Sequence, residues 1–345
     1  MQAVVKSSMS YPRPAVRMLR YTVQFAFLLI TFWIGWRFQQ FVLHFESPGH
    51  PFVPRPESVD AFLPIGGFMA LKYFLFTGIV EPVHPAGFVL FVAICGVSFL
   101  LKKGFCGWIC PIGTISQYAW MAGEKVFGRN FRPKSDTDIV LRAIKYLLMA
   151  FFVVLIGALM PLWSMTLFFI NDYYKAVDVR MMKFFTEMST FTLWVLIALV
   201  VLSFLYKNVW CRYLCPYGAL LGLVSKLSPI KVRRNEEKCV HCGACTKSCP
   251  ALIDVEKKET VASAECFGCL TCVSKCPAEG ALDISVRQRK KGWKVFSPYL
   301  YPVLLVAIFY LVIGIGMATD KWKTKIPYEE YQRLVPEVQK EYANR

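Results

Sequence analysis

Charge is scarce in this chain: of its 345 residues only 18% are Asp, Glu, Lys or Arg, with 23 acidic against 40 basic. A mean hydropathy of +0.43 and 56% apolar residues exclude an ordinary soluble domain. Histidine is rarer still, with His44, His50, His84 and His241 the only four. A haem held between membrane helices needs axial ligands facing each other inside the bilayer. The first three histidines fall at or beyond the outer ends of the apolar runs, which disfavours haem. There is no Gly-rich phosphate loop, no zinc-protease helix and no G-x-S-x-G elbow, so nothing points to nucleotide turnover or hydrolysis. No aromatic-and-basic stripe lies outside the membrane-flanking segments, which argues against nucleic acid despite a net charge of +17.

What the chain does have is long apolar runs. They lie at about 19 to 43, 86 to 101, 143 to 162, 191 to 206 and 298 to 318, and predict a polytopic transmembrane helix bundle of about five spans. The second and fourth are short and need their flanks, or local bilayer thinning, to cross. The stretch from Phe62 to Val80, broken by Pro64, Gly66, Gly67 and Lys72, reads as an interfacial or re-entrant piece. The first run continues too long, without a small-residue cleavage site, to be a removable signal, and is expected to remain as an anchor.

Where the charges lie orients the bundle. In a five-span arrangement, 28 of the 40 basic residues fall on the side holding the N-terminus, 102 to 145 and 207 to 297. The positive-inside rule then puts the N-terminus and the cysteine motifs in the cytoplasm and the C-terminus in the periplasm of a bacterial inner membrane. The basic runs Lys231, Arg233, Arg234 and Arg287, Arg289, Lys290, Lys291 either meet anionic lipid or guide an acidic electron carrier.

Thirteen cysteines are present. Cys239, Cys242, Cys245 and Cys249, followed by Pro250, recur 27 residues later as Cys266, Cys269, Cys272 and Cys276, followed by Pro277. This is C-x2-C-x2-C-x3-C-P twice, the pattern of a two-cluster ferredoxin, in which the fourth cysteine of each run reaches the other cube. Cys239, Cys242, Cys245 and Cys276 are thus expected to hold one [4Fe-4S] cluster, and Cys266, Cys269, Cys272 and Cys249 the other. Zinc usually takes separated C-x2-C pairs, and disulfides need an oxidising compartment. Neither explains the doubled run.

A second repeat lies in the membrane part. The segment Ser98 to Gly113, with Cys106, Cys110 and Pro111, aligns without gaps on Ser203 to Gly218, with Cys211, Cys215 and Pro216, at an offset of 105. Each copy follows a span of the same direction, as in a parallel repeat, so four thiols are placed near one pseudo-axis at the membrane edge. A third metal centre, a redox-active dithiol pair, a zinc site and buried structural cysteines all remain open for them. Cys95 has Val200 as its counterpart and reads as a small buried apolar residue.

The expected organisation is mainly α: a membrane domain over 1–227, an inserted ferredoxin-like α+β module over 228–290, a last transmembrane helix over 291–320 and a tail over 321–345. In the tail, Tyr328, Tyr331, Leu334 and Val338 have the spacing of an amphipathic helix. Glu81 and His84, with Asp172, Asp178 and Glu187, either receive protons from a quinol or simply face water at the outer edge.

The two C-x3-C-P motifs at helix ends, followed by the two-cluster segment, resemble the membrane polyferredoxins of the NapH and NosR type over most of the chain, from the first span through Pro277. The resemblance implies an integral membrane protein passing electrons between a quinone pool or a cytoplasmic reductant and a partner redox enzyme, with the eight ferredoxin cysteines as ligands and Cys106, Cys110, Cys211 and Cys215 as a second redox motif. The softness of these four thiols toward Cu(I) leaves an alternative, an accessory protein for metal reduction, cofactor assembly or redox sensing. The large flavin-binding domain of the NosR type is not found here, so the particular pathway is not carried over.

Overall fold

The computed structural model describes residues 14–288 and 292–343. Most of the N-terminal basic segment, and Arg289, Lys290 and Lys291, lie outside the described residues. Apolar sequence without breakers gives α1 (Pro14–Glu46), 33 residues in one helix. Prolines, which fit the first helical turn, open α2 (Pro64–Thr77) and α3 (Pro85–Leu100). The short α4 (Gly104–Trp108) leads through Pro111 into α5 (Pro111–Phe127). α6 (Ser135–Val154) runs on through a π-helical turn at Leu155–Leu159. Three shorter helices follow, α7 (Leu162–Ile170), α8 (Asp172–Lys175) and α9 (Val177–Thr186). After α10 (Thr190–Leu205), a π-helical turn at Trp210–Leu214 precedes α11 (Pro216–Val224).

β1 (Ile230–Arg234), α12 (Ala244–Lys247), α13 (Thr271–Lys275), β2 (Leu282–Gln288) and β3 (Gly292–Phe296) make the cysteine-rich module. The strands pair antiparallel in the order β1-β2-β3, with Val232 opposite Ile284 and Ile284 opposite Phe296. The sheet therefore reaches past residue 290, where the sequence placed the module's end. α14 (Leu300–Ala318) and α15 (Tyr328–Ala343) complete the chain.

Among the described residues, three helices are long and apolar enough to cross a bilayer: Ala15–Glu46, Ser135–Leu159 and Leu300–Ala318. A fourth crossing is available if α9 and α10, bent by 77° at their junction, act together. α3 and α10 have 16 residues each, about 24 Å at 1.5 Å per residue, short of a hydrocarbon core of about 30 Å. Pro85 starts α3, and the left-handed Lys102 (φ 58) follows its end. The 105-residue offset seen in the sequence reappears in the helix bounds, since both ends of α3 and the start of α5 map onto α10 and α11.

The described chain forms two compact units. The first joins the described residues of 14–28, 95–149 and 199–309; the second joins those of 29–94, 150–198 and 310–343. In the second, the stretch from Phe62 to Val80 contains the regular helix α2, and Gly67 lies so close to α3 that an added Cβ would come within 2.7 Å of the Gly87 carbonyl oxygen. The tail forms the expected amphipathic helix. Tyr331, Leu334 and Val338 of α15 are buried against Phe38, Phe41 and Val42, while Tyr328 stays exposed. Each such buried side chain contributes about 1.5–3 kcal/mol.

Candidate metal centres

Each ferredoxin motif is a loop that turns sharply into a short helix. Gly243 (φ 68) and Leu270 (φ 56) supply the left-handed residue before α12 and α13. These turns gather the thiols around two cavities. One is lined by Cys239, Cys242, Cys245 and Cys276 with Arg234 and Glu256. The other is lined by Cys249, Cys266, Cys269 and Cys272 with Val232 and Ile253. Each cavity thus takes three cysteines from one run and the fourth from the other, the grouping that crossed spacing requires. The second is the more enclosed: Cys249 is buried, and burial pushes its thiol up to about 12, whereas Cys242 is exposed.

The membrane-edge thiols also converge. Cys106 lies in α4 and Cys211 in the turn at Trp210–Leu214, while Cys110 and Cys215 cap α5 and α11. The four lie close together: the charges of Cys106, Cys110 and Cys215 all bear on Cys211, and those of Cys110 and Cys215 on Cys106. Gly113 permits this, because a Cβ there would collide with the Cys106 carbonyl oxygen. Burial pushes Cys106 up to about 12 and Cys110 up to about 11, and raises Cys211 as well. Cys95 is half-buried within α3.

The two repeats hold the enclosed ferredoxin loop from both sides. Trp108 donates its indole N–H to the Gly268 carbonyl at 3.0 Å, and a Cβ on Gly107 would come within 2.8 Å of the Phe267 carbonyl oxygen. From the second repeat, Asn208 donates to the Pro250 carbonyl at 3.1 Å, and Arg212 donates to that of Ala251. Arg20 reads in the sequence as a basic residue at a helix end. It is buried, and donates to the carbonyl of Gly107, to Gln117 and to Thr271, between Cys269 and Cys272. Sequence reasoning missed these contacts, which carry no spacing signal.

Among the described residues, the three groups Asp60, His84 and Asp178 are the only set whose ligand atoms all lie within 4.8 Å of one another. No cysteine quartet is drawn in that tightly. A single zinc ion, with Zn–S of about 2.3 Å, would hold its sulfurs roughly 3.8 Å apart. At Asp60 and Asp178, Arg55 already takes a cation's place, bonding the two carboxylates at 2.5 and 2.8 Å. Glu81 and His84 do not face water, contrary to the simpler sequence reading: they are 1% and 2% exposed. Glu81 accepts from the backbone N–H groups of Val83 and His84.

Known proteins share these features. A family described as "4Fe-4S binding domain" matches residues 83–132 and 188–235, one C-x3-C-P motif in each, and a "4Fe-4S dicluster domain" matches 231–277. The chain is 42% identical to "Putative electron transport protein YccM" of Escherichia coli over 90% of its own length and 86% of that protein's. It is 26% identical to "Ferredoxin-type protein NapH" of E. coli, covering 54% of this chain and 63% of the relative, and 26% identical to "Regulatory protein NosR" of Stutzerimonas stutzeri, covering 64% and 30%. The chain belongs to the NapH/NosR-type ferredoxin-type membrane proteins. No solved structure matches it. As a member of that family, it is an electron-transfer iron-sulfur protein of the membrane.

Proposed function

We propose that the protein is an electron relay of the bacterial inner membrane, with two [4Fe-4S] clusters held by Cys239, Cys242, Cys245, Cys276 and by Cys266, Cys269, Cys272, Cys249, and a third centre held by Cys106, Cys110, Cys211 and Cys215. The observation that carries this reading is the crossed grouping of thiols around two cavities, one of which abuts the Cys106 turn. Iron-sulfur clusters supply one-electron transfer at potentials set by charge, hydrogen bonds and exposure. The chain's own contribution is the order of the sites. The exposed Cys242 end takes an electron from a cytoplasmic donor, the enclosed cavity passes it on, and the four membrane-edge thiols deliver it toward a quinone or a partner redox enzyme. Buried thiols of raised pKa are poor nucleophiles, which disfavours a dithiol-exchange role for Cys106 and Cys110 and thus supports a bound centre. Five spans arranged as a parallel repeat, with cytoplasmic motifs and a periplasmic C-terminus, agree with the charge distribution.

Iron and acid-labile sulfide in anaerobically purified protein test the reading. Three cubes of four irons predict about twelve irons per chain. Replacing Cys106 and Cys211 by Ser should lower the iron content to about eight and leave the two ferredoxin EPR signals in place. About eight irons in both proteins would remove the third centre, and no iron at all would sink the relay.

A further inference from the structure

Three lysines with fully buried side chains, Lys102, Lys103 and Lys145, surround the ground between the four membrane-edge thiols and the enclosed ferredoxin cavity. One buried carboxylate faces them. Glu265, beside Cys266, accepts from Lys145 at 2.6 Å and from the Tyr146 hydroxyl at 2.8 Å. Lys102 reaches the Ser263 carbonyl oxygen at 3.5 Å. Lys103 is different. Its ammonium has no hydrogen-bond acceptor among the described residues and lies 4.9 Å from the centre of the Phe267 ring. It lies next to a membrane-edge thiol, since a Cβ on Gly218 would be in ordinary contact with both the Lys103 Nζ, at 3.6 Å, and the Cys215 Sγ, at 3.4 Å.

Its charge bears on Cys106, Cys110 and Cys211 on one side and on Cys266 and Glu265 on the other. The repeat gives no structural excuse for it. The equivalent position in the second copy is the neutral Asn208, whose amide is bonded to Pro250. A buried ammonium without a hydrogen-bond acceptor is costly, and Glu265, already bonded to Lys145 and Tyr146, is a single carboxylate set against three lysines, which leaves positive charge here for a further anion to offset. Four thiolates around a cluster carry net negative charge, and each added electron increases it.

Resting on the three-centre reading, we propose that Lys103 is the fixed counter-charge of the Cys106/Cys110/Cys211/Cys215 centre and raises its reduction potential. Lys103 is a positioning residue for charge and ligates nothing.

Redox titration of the purified full-length protein with dithionite, followed by EPR, tests this. Replacing Lys103→Met should lower the midpoint of the membrane-edge centre by at least a tenfold change in its reduction equilibrium, 59 mV for a one-electron couple. Lys103→Arg should restore most of it, and the cluster of Cys239, Cys242, Cys245 and Cys276 should stay within the error of the wild type. Glu265→Gln removes the opposing charge and should move the same midpoint upward. An unchanged midpoint in Lys103→Met with full iron content overturns the proposal. Should Lys103→Met not accumulate, Glu265→Gln decides alone: an upward shift supports the counter-charge, and no shift or a downward one overturns it. Wild-type protein that lacks the third set of signals but keeps the other two defeats the three-centre reading, a result distinct from an unmoved midpoint, and leaves Lys103 no centre to act on.

Discussion

Trp108 and Gly268, 160 residues apart in sequence, are joined by an indole N–H to carbonyl bond of 3.0 Å, with the indole fully buried. This bond ties the first C-x3-C-P motif to the loop that carries Cys266 and Cys269. Replacing Trp108→Phe leaves the Gly268 carbonyl buried without its donor, at a cost of about 1–3 kcal/mol. The expected result is a lower thermal midpoint and earlier loss of iron-sulfur absorbance at about 400 nm on heating. An unchanged midpoint would mean that the joint does not carry the docking of the loop.

Cys249 lines the cavity of Cys266, Cys269 and Cys272 rather than that of its own motif. Replacing Cys249→Ser should therefore damage the cluster of the second run and spare that of Cys239, Cys242 and Cys245. Cys276→Ser should do the opposite. EPR of the two variants after dithionite reduction separates the cases. Loss of the same signal in both variants would contradict crossed ligation.

The cysteines that line each cavity follow a pattern written in local spacing, and the 105-residue offset in the sequence matches the bounds of α3 and α10. The buried charges are not legible in that way. Arg55, Asp60, His84 and Asp178 meet across separations of up to 123 residues, and Lys145 meets Glu265 across 120, with nothing periodic to announce them. Membrane-flanking lysines and arginines look alike in a sequence whether they face lipid heads, as the positive-inside rule assumes, or are folded inward like Arg20, Lys103 and Lys145. The bounds of the apolar helices meet the same limit. Hydropathy marks apolar residues, but the length of α3 is set by Pro85 and the turn at Lys102, and the course of α10 by its bend from α9.

Arg212 grips Asp138 with two nitrogens, Nε at 2.8 Å and Nη2 at 2.7 Å, and also donates to the Ala251 carbonyl just after the first ferredoxin run. Tyr213 adds its hydroxyl to the same carboxylate at 2.7 Å. A lysine cannot reproduce the planar fork. Arg212→Lys is expected to destabilise by about 1–3 kcal/mol and Asp138→Ala by about 3–5 kcal/mol, because the latter strands a largely buried guanidinium. Urea titration in detergent, with the Trp signal as readout, ranks the two. The reverse order would place the main contribution in the Ala251 contact.

His84 faces acceptors with both ring nitrogens, Asp60 at 3.0 Å from Nδ1 and the Tyr174 carbonyl at 2.9 Å from Nε2. Two acceptors favour two N–H groups and so the imidazolium, against the Arg55 guanidinium, whose Nη2 lies 3.3 Å from the same Nδ1. Burial alone would lower its pKa, but the charge and hydrogen bond of Asp60, helped by Asp178, outweigh that and hold it at about 9 against an ordinary 6.5. Below pH 6.5 the folded and unfolded chains both carry the proton, and the stabilisation is whole. Between 6.5 and about 9 the unfolded chain releases the proton while the folded one keeps it, so stability falls as pH rises, by roughly 3 kcal/mol at most. Above that range the contribution is gone. Thermal midpoints of the wild type should therefore drop between pH 6.5 and 9, and His84→Gln, less stable at pH 6, should show a distinctly flatter profile over the same window. Parallel profiles for the two proteins would mean that His84 does not carry the pH dependence, and that the cluster around Arg55 is held by its carboxylates alone.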